Sequence, residues 1–281
     1  MRFQNEVLLQ TLDSRLKKSE VCVFFATQEI FAKGIKYAKE GEIEQSTNCF
    51  LLGETELNKV DNNTELKRWL LFSYLSKRSF LHYKTGNKDK AVEYLCRYKE
   101  VLNWLIERGV KFLVFPFIQY QHNMARILFY ERDTRAAITQ VIGSLKSLLS
   151  STSKGTQNSF ICGVDLLKLI QEDIRYQNIV DLYVGQLMVE VLLSISKSDN
   201  FLDHLQTFLR SLNHFWTAYN PGSSFGVALK QFITPFFMSC HVLDQIDQEK
   251  LLKELSFIRE VHKLPNLWSD LLTAYISKLQ G

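Results

Sequence analysis

Residues 87–109 read NKDKAVEYLCRYKEVLNWLIERG. Within them Ala91, Leu95, Tyr98, Leu102 and Leu105 step by 4, 3, 4 and 3, which lays one apolar stripe along a helix. Asn87 stands where an N-cap is wanted, and Gly109 where a left-handed residue ends a helix. The same periodicity recurs elsewhere. Leu205, Phe208, Leu212 and Phe215 step by 3, 4 and 3, and Val184, Leu187, Met188, Val191, Leu192 and Ile195 make the wider face of a central helix. Val21–Phe25 has the composition of a strand, but no partner strand is visible, so it reads as the start of a buried helix running to about Lys39.

Turn signals recur at Gly41, Gly86, Glu131-Arg132-Asp133, Gln177-Asn178, Asn220-Pro221-Gly222 and Pro265-Asn266, about 45 residues apart. A weaker break divides each interval, at Lys59–Asn63, Gly109–Val110, Thr152–Gln157, Ser198–Asn200 and Leu243–Gln248. Each interval is thus two helices, and such a pair buries its apolar face only by stacking on its neighbours. Composition agrees. With 12 Gly and 4 Pro in 281 residues there are too few turn residues for a β-sandwich, and 46% hydrophobic with 23% charged residues excludes wholesale disorder. The expectation is an all-α solenoid of about 12–13 antiparallel helices. Its N-terminal repeats span 1–158, and its C-terminal repeats and cap span 159–281, continuous with the first. The segment before Glu20 and the helix Leu267–Leu279 are the natural caps.

Around the first turn, Gly34, Tyr37, Gly41, Ser46, Phe50 and Gly53 step by 3, 4, 5, 4 and 3. This pattern resembles the tetratricopeptide repeat, which places small, aromatic, Gly, small, aromatic and small residues at that spacing. Gly34 and Gly53 let two helices approach, Tyr37 and Phe50 fill the space between them, and Gly41 makes the turn. The next interval keeps Gly86, Ala91 and Leu95, with Ser79 small, but His82 replaces the aromatic and Tyr98 the last small residue. In the third interval Ala136 holds the small position and little else survives. The resemblance covers about 20 residues well and 20 more in part. It implies a right-handed solenoid of helical hairpins whose concave groove holds a partner protein, and it carries no catalytic residue.

Residues that could carry chemistry are few. Gly222-Ser223-Ser224-Phe225-Gly226 fits G-x-S-x-G, followed by Asp244 or Asp247 and then His262, in the order of an α/β-hydrolase triad. That motif needs a strand before the serine. Here a helical stripe ending near Trp216 and a Pro-Gly loop precede it, so the expected role is a serine cap on the next helix. Cys240 and His241 are adjacent on one helix and diverge by about 100°, so they form no dyad. His82, His122, His204, His214, His241 and His262 are dispersed without HExxH spacing, and neither GxxxxGK[ST] nor GxGxxG occurs. His204, with Asp199 and Asp203, reads as charge patterning at a helix start. No metal, cofactor or enzymatic activity is expected.

Charge is concentrated. Residues 66–111 hold eleven Lys/Arg and four Asp/Glu, interleaved with Trp69, Phe72, Tyr74, Phe80, Tyr83, Tyr94, Tyr98 and Trp104. The candidate partner-binding residues are Lys67, Lys77, Lys84, Lys88, Arg97 and Lys99, which Arg126 would extend. Three readings stand: a solvated face, a groove for an acidic partner segment, or a nucleic-acid track. The function expected is a non-enzymatic adaptor or complex subunit binding a protein or peptide, and the alternative is nucleic-acid binding through the same face. An apolar end surface with Phe225, Phe232, Phe236, Phe237 and Trp268 is a second place for a partner. The five dispersed cysteines, Cys22, Cys49, Cys96, Cys162 and Cys240, without CxxC, fit reduced thiols and a cytoplasmic or nuclear location. The start shows no signal-peptide pattern, and the longest uncharged apolar stretch, Gln231–Leu243, is too short to span a bilayer.

Overall fold

The computed structural model describes residues 2–152, 160–239, 246–261 and 266–280. Among them are thirteen α-helices and one two-stranded hairpin. The helices fall into two compact units, Met1–Ile127 and Leu128–Gly281.

The first unit opens with α1 (Arg2–Arg15), then α2 (Lys18–Glu40), α3 (Ile43–Asn58), α4 (Glu65–Lys84), α5 (Lys88–Glu107) and α6 (Val114–Tyr130), the last of which crosses the boundary between units. The Val21–Phe25 stretch is helical, inside α2. Helices α2 and α3 form one hairpin, α4 and α5 a second, and α2 also packs on α4. The two tips are alike. Gly41 has φ +84° and Gly86 φ +77°, the left-handed conformation that a side chain disfavours. In each, the next amide closes the turn: Glu42 N–H donates to the Tyr37 carbonyl and Asn87 N–H to the His82 carbonyl, both at 2.9 Å. Asn87 then caps α5, its side chain accepting from the Lys90 amide at 3.2 Å.

Within the first hairpin two rings fill two gaps left by glycine. Phe50 lies against Gly34, and Phe31 lies so close to Gly53 that an added Cβ would sit 2.2 Å from the ring. Here the fold corrects the sequence expectation. Phe31, not Tyr37, fills the space beside Gly53, because the Gly34–Phe50 and Phe31–Gly53 pairs share one antiparallel register, on which the half-buried Tyr37 stands level with Thr47 near the tip. A hydroxyl joins the helices of each hairpin. Ser46 Oγ donates to the Gly34 carbonyl at 2.8 Å, and in the second hairpin Ser79 Oγ donates to the Ala91 carbonyl at 2.9 Å. Phe24, Phe31, Phe50, Trp69, Leu95 and Leu102 are buried to 1% exposure or less and form the core of this unit. α1 is tied to it by Arg15, which pairs with Glu65 at 3.1 Å and donates to the Arg108 carbonyl just past α5.

The second unit takes the end of α6, then α7 (Thr134–Ser150), β1 (Phe160–Ile161), β2 (Val164–Asp165), α8 (Leu166–Glu172), α9 (Arg175–Ser196), α10 (Phe201–Ala218), α11 (Ser224–Met238), α12 (Gln248–Val261) and α13 (Asn266–Gln280). α7 packs on α9 and α10 and so belongs to this compact unit. The turn before α7 repeats the earlier tips with Arg132 at φ +63° in place of glycine, and Asp133 caps the helix by accepting from the Ala136 amide. β1 and β2 pair antiparallel across Cys162-Gly163, both at positive φ, as a two-residue type I′ turn requires. α9 is the central helix, touching α7, α8, α10, α11 and α13. It is long and apolar enough to cross a membrane by length and composition, and 67% of its most apolar window is buried within the protein.

Candidate binding cleft

The seven cationic candidates do not share one surface. Lys67 is 5% exposed, and its ammonium donates to the carbonyls of Leu57 at 2.6 Å and Val60 at 3.3 Å. It therefore closes the C-terminal end of α3, where a cation meets unsatisfied carbonyls and the negative end of the helix dipole. Burial lowers its pKa, and Asp61 opposes that shift. Lys67 is withdrawn from any groove, contrary to the expectation. Lys77 is also turned inward. Its ammonium donates to the Ser73 carbonyl at 2.8 Å and hydroxyl at 2.9 Å, and desolvation lowers its pKa to about 8.

Lys84 is exposed, with its ammonium 5.7 Å from the centre of the Phe80 ring. Lys77, Phe80 and Lys84 step by 3 and 4, so they lie along one side of α4. Phe80 also lines a small cleft, open at its mouth, with Ser79 and Tyr83 from α4, Leu95 from α5, and Asn123, Arg126 and Ile127 from α6. Arg126 is held there by donation to Asn123 Oδ1 at 3.1 Å. Of the candidates, the structure puts Arg126 in the wall of this cleft and Lys84 over the Phe80 ring, while Lys77, bonded back to Ser73, does not line it. Asn123 has no signal in the sequence pattern, since its role depends on which helices become neighbours.

Lys88 begins α5, and Lys99 is exposed farther along it; neither lines the cleft. Arg97 stacks on Tyr94 at 5.7 Å, and that ring also meets His82 at 5.2 Å and Tyr74 at 6.0 Å. His82 and Phe80 are two residues apart, about 200° around α4, so Arg97 belongs to a different face. Burial, with Arg78 and Lys90 nearby, lowers the His82 pKa. Several aromatics of this basic segment already carry cations of the chain: Lys84 on Phe80, Arg97 on Tyr94, and Arg68 and Arg108 on Trp104, the last at 3.6 Å.

The G-x-S-x-G segment is the start of a helix. Ser223 caps α11 by accepting from the Gly226 amide at 2.9 Å, as expected, and the exposed Ser224 is the first helical residue. Helix α10 and a loop precede it, so the strand–turn–helix setting of a nucleophile elbow is missing among the described residues. Asp181, fully buried on α9, organises this loop. Its carboxyl oxygens accept from Tyr219 Oη at 2.8 Å, Gly222 N at 3.1 Å, Ser223 N at 2.9 Å and Ser223 Oγ at 2.6 Å. Burial and the adjoining Asp181 push the Tyr219 phenol pKa up. Asp247 caps α12 by accepting from the Lys250 amide. Cys240, His241, Asp244 and His262 lie outside the described residues. Among the described residues no three His, Cys, Asp or Glu side chains are grouped to hold a metal.

No family model, no curated protein and no solved structure matches this chain.

Proposed function

We propose that the chain is a non-enzymatic adaptor or complex subunit, a right-handed solenoid like those of tetratricopeptide repeats, which holds a segment of a partner protein in the cleft between α4, α5 and α6. The observation that carries this reading is the cleft itself, with an apolar interior, Arg126 in its wall and Lys84 over the Phe80 ring. The matched tips at Gly41 and Gly86 and the hydroxyl bridge of each hairpin support the repeat. A nucleic-acid track finds less support, because bases need open aromatic faces and those of Phe80, Tyr94 and Trp104 carry the chain's own cations.

A photo-crosslinking amino acid at position 80 tests the reading. Irradiation in native lysate with nuclease should give a protein adduct identifiable by mass spectrometry. An adduct containing nucleic acid, or no adduct beyond that of a control with the crosslinker at exposed Lys99, would overturn it.

A further inference from the structure

We infer that the cleft is a socket for one aliphatic side chain, the size of leucine or isoleucine, carried on an acidic segment of the partner; this deepens the adaptor reading and rests on it. Size decides the first half. The cleft's enclosed space has room for about three water molecules, which suits a single side chain rather than a cofactor. Chemistry agrees. Phe80, Tyr83, Leu95 and Ile127 supply apolar walls. The Ser79 hydroxyl donates across the hairpin to Ala91, so its proton is not offered to a ligand.

Charge decides the second half. No carboxyl side chain lines the cleft among the described residues. Helix α6 contains no Asp or Glu, the single acid of α4 is Glu65, at its far end and paired with Arg15, and the acids of α5, Asp89, Glu93, Glu100 and Glu107, do not line the cleft. Against this stand Lys84 above Phe80 and Arg126 in the cleft wall. The surroundings therefore attract carboxylates beside the anchor and repel a basic segment.

The full-length chain is to be titrated with synthetic ten-residue peptides, acetylated and amidated, whose central residue is Leu, Ile, Phe, Ala or Lys and whose flanks are acidic, neutral or basic. Leu- and Ile-centred acidic peptides should bind at least tenfold more tightly than Ala-centred acidic or Leu-centred neutral ones. Lys84→Glu, on an exposed side chain, should lose that preference for acidic flanks. Phe80→Ala should abolish the Leu-over-Ala preference while unchanged thermal melting shows both variants folded. Preference for neutral or basic flanks, equal binding of Ala- and Leu-centred peptides, or no binding would overturn the socket. A protein adduct at position 80 in any of those cases leaves the adaptor reading standing, whereas the lack of an adduct sinks that reading and the socket with it.

Discussion

Lys67, Lys77 and Lys84 share one helix and differ in what their ammonium groups meet: two carbonyls at the end of α3, a serine within α4, and solvent above a ring. Nothing in the spacing of the three lysines separates them; the neighbouring helices do. Lys77 has a measurable consequence. Burial brings its pKa from 10.5 to about 8 in the folded chain, so between those values the unfolded chain holds a proton that the folded chain has released. Stability therefore rises with pH through that window, by at most about 1.4 kcal/mol per pH unit from this group. Urea midpoints for the protein and Lys77→Met should converge between pH 7.5 and 10; a constant difference would contradict the inward placement. Asp181 is the other residue whose task the sequence hides, since its partners lie about forty positions away. Asp181→Asn sets an amide donor against backbone donors and should cost about 2–4 kcal/mol. Hydrogen exchange should quicken at residues 219–226, and unaltered protection there would count against the network.

At the scale of elements, the hairpin tips were legible because glycine at a left-handed turn and asparagine at a cap act locally. Which ring meets which glycine was not, since Phe31 and Tyr37 are both aromatic on one helix and only the antiparallel register chooses between them. Three substitutions separate the forces involved. Gly41→Ala meets nothing within 4 Å and suffers only its φ of +84°, so it should cost about 1–2 kcal/mol. Gly53→Ala drives a methyl into the Phe31 ring and should cost about 1–3 kcal/mol, with Phe31→Leu relieving part of it. Ser79→Ala leaves the Ala91 carbonyl without its cross-hairpin donor and should cost about 1 kcal/mol. Thermal melts rank them, and a Gly53→Ala variant as stable as the parent would refute the close approach.

Across the whole molecule charge is uneven: residues 1–127 hold 20 Lys/Arg and 15 Asp/Glu, and residues 128–281 hold 14 and 15. Screening shortens from about 30 Å at 0.01 M salt to about 3 Å at 1 M, so attraction to an acidic segment weakens with salt while apolar insertion does not. Between 0.05 and 0.5 M salt the affinity of a Leu-centred acidic peptide should fall several-fold with its Leu-over-Ala ratio unchanged; a collapsing ratio would mean that charge alone holds the peptide. The all-α class and the central place of α9 could be read from periodicity, because an apolar face wider than one stripe needs neighbours on several sides. The cleft could not, because it is made where three helices converge.

The two hairpins also carry a lesson about identity under exchange. In the first the hydroxyl stands on the second helix and reaches back; in the second it stands on the first helix and reaches forward, at positions shifted by 45. Bulk trades sides in the same way on that register, Phe31 with Gly53 becoming Ser76 with Tyr98. What is preserved from one hairpin to the next is a pair, not a residue. A comparison that scores each position by itself counts two losses at every such trade, while the fold registers none.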